Sequence, residues 1–210
     1  MNKVSEQDIK DHCPHCDPKS QALKNVIEET QHFRVVCDRY PICEGHLLII
    51  PKKHLSCVGE YEEALFLEFS KLYNNYQQAI KGIYGKVSTF EHGKIGQTVF
   101  HSHAHILPFS GEASKIVPEG RESIKLIFNL KELKEVYDRT GGYLFFSIED
   151  KAWLADAALA EPGFFRDRFA QALGRPERGN WKQMSENKTI MAKAEKEIEN
   201  FKLKIKKSTF

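Results

Sequence analysis

The sequence contains no apolar run long enough to span a bilayer, because its most hydrophobic stretch, Leu47 to Pro51, has only the length of a strand. The N-terminal residues, Met1 to Lys10, are polar and lack the apolar segment of a secretory signal peptide. We therefore expect no membrane partner and predict a cytoplasmic location.

An excess of charge of one sign is also missing. The formal net charge is +2, with 31 Lys and Arg against 29 Asp and Glu, so no global attraction to nucleic acid is expected. Internal repeats and low-complexity segments are absent from the sequence. A length of 210 residues with 41% hydrophobic residues is typical of one globular domain with an extension, or of two small domains.

The five cysteines are an odd number in a chain predicted to be cytoplasmic, so metal ligation or free buried thiols are expected rather than disulfides. Cys13 and Cys16 form a C-x-x-C pair around Pro14 and His15. Such a pair is half of a zinc site or a redox dithiol. The redox alternative needs a preceding strand, and only a dozen polar residues come before Cys13, so the sequence favours zinc with two further ligands.

Three of the nine histidines alternate along a single stretch between Gly96 and Pro108. Alternate residues of an extended strand project from one face, so His101, His103 and His105 are predicted to form a row of imidazoles on a strand. Imidazole can act as a nucleophile, a proton carrier or a metal ligand near neutral pH.

The hydrophobic pattern of the first half predicts several short strands and one long helix from Gly59 to Gly82. The predicted strands are Val26–Thr30, Phe33–Asp38, Gly45–Pro51, Val87–Glu91 and the histidine stretch, with a turn at His92–Gly96.

After Gly111 the pattern changes, and we predict two segments, residues 1–111 with an N-terminal zinc arm and residues 112–210 as an extension. In the extension, the pattern predicts partial helix over Ile124–Tyr137, two strands at Tyr143–Ile148 and Trp153–Ala155, a helix from Pro162 to Leu173, and an amphipathic C-terminal helix.

The stretch Gln97-Thr98-Val99-Phe100-His101-Ser102-His103-Ala104-His105-Ile106-Leu107 resembles the signature of the histidine triad (HIT) family of nucleotide hydrolases and transferases. Upstream, Asp38 and the block Gly45-His46-Leu47-Leu48-Ile49-Ile50-Pro51-Lys52-Lys53-His54 resemble the first conserved block of that family. The likeness covers roughly Cys13 to Phe109. Ser102 departs from it, because the family usually has an apolar or aromatic residue there.

The resemblance implies an α+β fold, with a HIT-like antiparallel sheet and one long helix followed by a C-terminal α/β extension. It also implies that His103 attacks the α-phosphorus of a nucleotide and forms a nucleotidyl–imidazole intermediate that water hydrolyses. His105 and His46 would flank the phosphate as catalytic partners. Gln97 and Thr98 would supply neutral donors to the substrate.

Two acidic residues complete the implied substrate contacts. Asp38 lies where the family places a residue against the ribose hydroxyls, although an Asp before Pro41 is also typical of a turn. Glu91 is predicted to contact substrate, although many relatives carry Asn there. Lys94 could reach distal phosphates or could be an exposed turn lysine.

By the same resemblance, Cys13, Cys16, His54 and His101 would form a closed tetrahedral zinc site with a structural role. His12 and His15 are possible competing ligands.

A histidine at the third triad position, His105, is typical of the hydrolase branches, which act on dinucleoside polyphosphates or on AMP conjugates. We therefore expect a zinc-containing nucleotide hydrolase that favours adenine nucleotides and forms a homodimer. The alternatives are a non-catalytic nucleotide-binding sensor or scaffold, and an aprataxin-like enzyme that removes AMP from nucleic-acid ends. The segment Pro162–Arg166 with Trp181 could complete a substrate pocket or a dimer face.

Overall fold

An eight-stranded antiparallel sheet connects both halves of the chain. The computed structural model describes residues 12–208, so the prediction made from Met1 to Lys10 lies outside the described residues. The strands are β1 (Val26–Glu29), β2 (Phe33–Cys37), β3 (Leu47–Pro51), β4 (Ser88–Gly93), β5 (Ala104–Leu107), β6 (Ile124–Ile127), β7 (Tyr143–Ile148) and β8 (Lys151–Ala155). Their order across the sheet is β1-β2-β3-β5-β4-β7-β8-β6, and neighbouring strands are antiparallel.

Five α-helices accompany the sheet in the described part of the chain, so the predicted α+β class is confirmed. They are α1 (Glu63–Tyr84), α2 (Glu132–Thr140), α3 (Phe164–Ala172), α4 (Trp181–Glu186) and α5 (Lys188–Lys207). None of them is both long enough and apolar enough to cross a membrane.

The long helix α1 covers one face of the sheet. Its apolar residues recur every three or four positions, and Phe69, Tyr76 and Ile80 are buried in one core with Ala104 and Ile106 of β5. The helix ends at a glycine in the left-handed conformation, Gly85, whose N–H donates to the carbonyl of Lys81.

The shorter helix α3 packs in a second core with the alternate residues of the central strands. Phe165 and Phe169 of α3 share this core with Phe90 of β4 and Leu107 of β5. Burying each of these aromatic rings contributes roughly 2 kcal/mol. The same side of β5 carries His105, whose ring stacks on Phe90 with centroids 4.0 Å apart. The C-terminal half therefore packs against the side of the sheet that holds the third histidine.

The pairing of β4 with β7 joins the two halves within one sheet. The pairs run without interruption from Ser88–Ile148 to Gly93–Tyr143. The division into residues 1–111 and 112–210 stays a prediction.

Most predicted elements of the C-terminal half are present. The strands β7 and β8 and the amphipathic helix α5 are confirmed. The helix predicted from Pro162 begins two residues later, at Phe164. In the segment predicted to be partly helical, residues 124–127 form the edge strand β6, and the helix α2 begins only at Glu132.

The histidine stretch required a larger correction, because only His105 lies within a strand. The strand β5 begins at Ala104, and His101 and His103 precede it. The reason lies in the backbone hydrogen bonds: the N–H of His101 donates to Val99 within a tight turn, and the N–H of Ser102 donates to Leu55 rather than to a sheet partner. The predicted turn at His92–Gly96 also begins later, because β4 continues through Gly93.

Candidate active site

A cavity of about 160 Å³ lies beside the second and third histidines. Its walls come from the segment around the C-x-x-C pair, the loop after β2, the strand β3, the strand β5 with the segment before it, and the C-terminal half. The lining residues that carry polar or aromatic groups are His15, Ser20, Gln21, Asp38, Tyr40, Thr98, His103, His105, Arg166 and Trp181.

The ring of His103 is held in one tautomer. Its Nδ1 lies 2.6 Å from the carbonyl oxygen of His101, and a carbonyl can only accept, so Nδ1 carries the proton. The other nitrogen, Nε2, therefore has a free lone pair. Burial lowers the pKa of His103, and its side chain is 9% exposed, in the cavity wall. The neutral, nucleophilic form is thus favoured at neutral pH.

His105 and His46 form a directional hydrogen-bond chain. The backbone N–H of Ile42 donates to Nδ1 of His46 over 3.1 Å, so the His46 proton is on Nε2. That nitrogen lies 2.9 Å from Nδ1 of His105, which must accept. The remaining proton of His105 is consequently on Nε2, a buried atom with no hydrogen-bond partner among the described residues. The chain thus leaves one N–H of His105 available for a ligand.

Both imidazoles of this chain are kept neutral. Burial lowers the pKa of His46 to about 4 and the pKa of His105 well below its ordinary value. The imidazoles of His46 and His105 beside His103 are therefore neutral, and each of their ring nitrogens is fixed as either a hydrogen-bond donor or an acceptor.

Asp38 pairs with an arginine from the C-terminal half. Its Oδ2 accepts from Nη1 of Arg166 over 2.6 Å, and its Oδ1 accepts from the N–H of Tyr40 over 2.9 Å. Burial alone would raise the pKa of Asp38, but the Arg166 guanidinium and the hydrogen bond from the N–H of Tyr40 outweigh it, and the pKa is lowered to about 2. The predicted ribose-binding carboxylate is therefore ionised, buried and already paired.

The other predicted substrate residues take different positions. Thr98 lines the cavity, and its hydroxyl oxygen accepts from Nε1 of Trp181 over 3.0 Å. Gln97 points inward, with its amide donating to the carbonyls of Ser56 and His92. Of the two predicted neutral donors, the structure thus brings Thr98, and not Gln97, to the cavity.

Glu91 lies in the protein interior. Its carboxylate accepts from the N–H of Val58 and from the hydroxyls of Ser102 and Tyr143. Burial raises its pKa to about 7. Ser102 is the residue that departs from the family pattern, and the buried Glu91 carboxylate is its hydrogen-bond partner. This hydrogen bond helps to fix the backbone between His101 and His103.

The predicted metal ligands converge next to this cavity. The ligand atoms of Cys13, Cys16, His54 and His101 all lie within 4.8 Å of one another. The Sγ of Cys13 is 3.4 Å from Nδ1 of His101, and the Sγ of Cys16 is 3.2 Å from Nδ1 of His54. Zinc bonds of about 2.0 to 2.3 Å place tetrahedral ligand atoms about 3.3 to 3.8 Å apart. The distances and the two-sulfur, two-nitrogen donor set therefore fit zinc.

A hydrogen bond orients one of these ligands. Nε2 of His101 lies 2.8 Å from the carbonyl oxygen of Pro51, so this nitrogen carries the proton and Nδ1 faces the thiols with its lone pair. Because the carbonyl of the same residue fixes His103, one backbone turn connects the metal cluster with the candidate nucleophile.

The sequence indicated no role for the cavity residue Tyr40, no individual role for Arg166 or Trp181, and only a competing metal-ligand role for His15. The rings of Tyr40 and Trp181 are neighbours, with centroids 5.5 Å apart. The segment Pro162–Arg166 with Trp181 was expected to complete a substrate pocket or a dimer face. The ion pair between Arg166 and Asp38 had no signal in the sequence.

The family profile and the related proteins that match this chain all point to one family. The HIT domain profile matches residues 19–111. An uncharacterized HIT-like protein of Methanocaldococcus jannaschii is 30% identical over 113 residues, covering 52% of this chain and 88% of that protein. An uncharacterized 16.1 kDa HIT-like protein of Mycoplasma pneumoniae is 33% identical over 86 residues, covering 39% of this chain and 60% of the relative. This chain thus spans about three fifths of the length of that relative.

Among solved structures, a Zn-bound histidine triad family protein from Mycobacterium smegmatis is similar, with 28% identity, a TM-score of 0.35, and coverage of 40% of this chain and 63% of that one. The match to the Methanocaldococcus jannaschii protein covers most of that relative. The chain therefore belongs to the HIT family.

Proposed function

We propose that this chain is a nucleotide hydrolase that cleaves at the α-phosphate through a nucleotidyl-histidine intermediate. The observation that supports it most directly is the tautomer of His103, whose Nδ1 is bound to the carbonyl of His101 so that the lone pair of Nε2 is available for attack. The proposed substrates are dinucleoside polyphosphates or AMP conjugates, with adenine nucleotides favoured.

The proposed reaction has two displacements at phosphorus. In the first, the Nε2 lone pair of His103 forms a bond to the α-phosphorus, and the bond to the leaving group breaks with its electron pair. In the second, a water oxygen attacks the same phosphorus and the P–N bond breaks, which restores His103. The two protons of the water end on the nucleoside monophosphate and on the leaving group, so one water is consumed for each bond cleaved.

The neighbouring imidazoles have supporting roles in this proposal. The ring of His105 lies 4.9 Å from the ring of His103, centroid to centroid. Its available Nε2–H would donate to a phosphoryl oxygen as negative charge develops there. His46 would hold His105 in the required tautomer through the hydrogen bond between them. Of the predicted substrate-binding residues, Asp38 and Thr98 line the cavity.

The nucleoside requires more space than the present cavity offers. A volume of about 160 Å³ is roughly half of the smallest typical ligand pocket. We therefore include in the proposal that Arg166 separates from Asp38 when the ribose binds. The neighbouring rings of Tyr40 and Trp181 would then offer a stacking surface for the base.

Zinc has a structural role in the proposal. Cys13, Cys16, His54 and His101 would hold it in a closed four-ligand site that connects the N-terminal segment with the approach to β5. A bound zinc ion would supply folding free energy and leave no position for a water nucleophile. A cytoplasmic location, where thiols stay reduced, and a homodimer complete the proposal.

The test uses the full chain loaded with zinc and supplied with diadenosine tetraphosphate, an AMP amide and a 5′-adenylated oligonucleotide. AMP release is measured by chromatography, and the intermediate by intact mass spectrometry after a basic quench, because phosphoramidates are acid-labile. We expect AMP from at least one of the first two substrates. His103→Asn should remove the adduct and reduce release by roughly 10⁴-fold or more.

The matched control is His32→Asn, at a half-exposed histidine whose ring contacts Glu68. This variant should retain the wild-type rate. An adduct that persists in His103→Asn would contradict the assigned nucleophile. Release from the oligonucleotide alone would favour the enzyme that acts on nucleic-acid ends.

A non-catalytic sensor is the second candidate, and the pairing of Asp38 with Arg166 favours it. A nucleotide that displaces Arg166 would move the C-terminal half without any bond cleavage. Binding of AMP with no release from any of the three substrates would support this alternative and contradict the hydrolase.

A further inference from the structure

The metal-binding turn also presents a side chain to the catalytic cavity. The N–H groups of Cys16 and Asp17 both donate to the carbonyl of Cys13, at 3.0 and 3.2 Å, which makes residues 13–16 a tight turn. The thiols of Cys13 and Cys16 face Nδ1 of His101, whereas His15 lines the cavity.

The imidazole of His15 is buried without a complete set of partners. The residue is 4% exposed, and its buried Nδ1 has no hydrogen-bond partner among residues 12–208. A buried polar atom in this state is unfavourable, and a ligand that supplies a hydrogen bond would remove that cost. A phenylalanine would fill the same space without such an atom.

The position of His15 relative to the nucleophile indicates which ligand group it meets. The ring centroid of His15 lies 5.0 Å from the ring centroid of His103. The ring centroid of His105 lies at nearly the same distance from His103, 4.9 Å. His15 and His105 both line the cavity that contains His103, so a phosphoryl group bound at Nε2 of His103 would have both imidazoles as neighbours. Phosphoryl oxygens accept hydrogen bonds and an imidazole N–H donates them.

A metal-ligand role does not account for His15. The four ligand atoms of Cys13, Cys16, His54 and His101 already lie within 4.8 Å of one another and complete a tetrahedral set without it.

We propose that His15 is a further catalytic residue whose Nδ1–H donates a hydrogen bond to a phosphoryl oxygen of the group that His103 attacks. The identity of the nucleotide rests on the proposed function; the contact with phosphate does not. The C-x-x-C turn then has two tasks, because its thiols hold the metal and its histidine contacts the substrate.

The test compares three zinc-loaded full-length proteins: wild type, His15→Phe and His15→Gln. The affinities for AMP and for inorganic phosphate are measured by calorimetry, and zinc content and Tm are measured on the same samples. We expect His15→Phe to bind both ligands about 10-fold to 100-fold more weakly, because a hydrogen bond to a charged group is lost. The amide of His15→Gln should restore most of the affinity, and the zinc content should stay at one ion per chain in all three.

The other results would overturn the role of His15, the nucleotide assignment, or both. Unchanged phosphate affinity in a zinc-loaded His15→Phe would exclude the contact, and loss of zinc in both variants would make His15 a ligand or a folding element. Wild-type protein that binds inorganic phosphate but not AMP would contradict the nucleotide assignment, and the variants would still test the contact with phosphate. Wild-type protein that binds neither ligand would contradict both.

If AMP is released in the assay described above, kcat provides a separate measurement. His15→Phe should lower kcat more than it raises KM, because the hydrogen bond strengthens as charge develops on the phosphoryl oxygens. His32→Phe is the matched control, and it should change neither constant.

Discussion

Two polar clusters lie close to the cavity that contains His103, and they differ in whether their groups satisfy one another. The metal cluster brings two thiols and two imidazoles together with no charged partner of opposite sign within the set. The Asp38–Arg166 cluster is already complete: Arg166 donates to the carboxylate and to the carbonyls of Tyr40, Arg178 and Gly179. The two thiols and two imidazoles can be brought together by a bound cation, whereas the groups around Arg166 satisfy one another within the fold.

This difference indicates how the structure of each cluster can change when a ligand binds. A cluster that needs an ion is fixed once the ion is bound. An internal ion pair can open, because water or a ligand hydroxyl can replace one of its partners. We therefore expect the metal side of the cavity to stay rigid and the Arg166 side to adapt.

The largest expected effect comes from removing the metal. Cys16→Ser, or treatment of the wild type with a strong chelator, should abolish stoichiometric zinc binding and lower the free energy of unfolding by several kcal/mol, since metal binding and folding are coupled. Differential scanning calorimetry and metal analysis measure the two quantities. Cys57→Ala is the matched control, because Cys57 is a buried thiol outside the cluster. Equal zinc content in Cys16→Ser and the wild type would contradict the ligand assignment.

The next effect separates the ion pair from the metal. Arg166→Leu should leave zinc binding unchanged but destabilise the fold by about 3 to 5 kcal/mol, because Asp38 would be left buried and unpaired. The double variant Asp38→Asn/Arg166→Leu should be more stable than the single variant. Urea unfolding measures both, and additive destabilisation by the two changes would show that the groups are not coupled.

The smallest effect is the acid dependence of the same pair. Because the pKa of Asp38 is lowered from 3.8 to about 2 in the folded state, the ionised carboxylate stabilises the protein above about pH 4. This contribution, about 2 kcal/mol, should disappear as the pH falls from about 4 to about 2.

The measurement for this third prediction is the difference in unfolding free energy between wild type and Asp38→Asn across that pH range. A constant difference for Asp38→Asn would contradict the assigned shift.

The parts of the site that sequence analysis could anticipate are those in which chemistry and spacing coincide. The two cysteines and the alternating histidines are rare residue types at regular intervals, and the structure brings the proposed metal ligands together. Hydrophobic periodicity predicted the short strands and the long helix α1, whereas the antiparallel order of the strands and the full set of metal ligands were implied by the resemblance to the HIT family. These features are local in the sequence, or they combine a few short motifs.

The missed features depend on contacts between distant residues. Arg166 and Asp38 are 128 positions apart, and an arginine on a helix is ordinarily a surface residue. The extended row of histidines was wrong for a similar reason, since the N–H of Ser102 donates to Leu55 and the strand starts only at Ala104. Gln97 is polar and is the first residue of the signature, but the carbonyls that hold its amide, those of Ser56 and His92, come from outside the signature.

The pairing of β4 with β7 also determines what the first half would present on its own. Without β7, the backbone donors and acceptors along Ser88–Gly93 would form an open sheet edge, directly beside the strand that carries His105. An open edge attracts another strand. In this chain the C-terminal half supplies that strand as β7. The edge of β4 is therefore already paired, and a strand of another molecule cannot pair with it beside the histidine site.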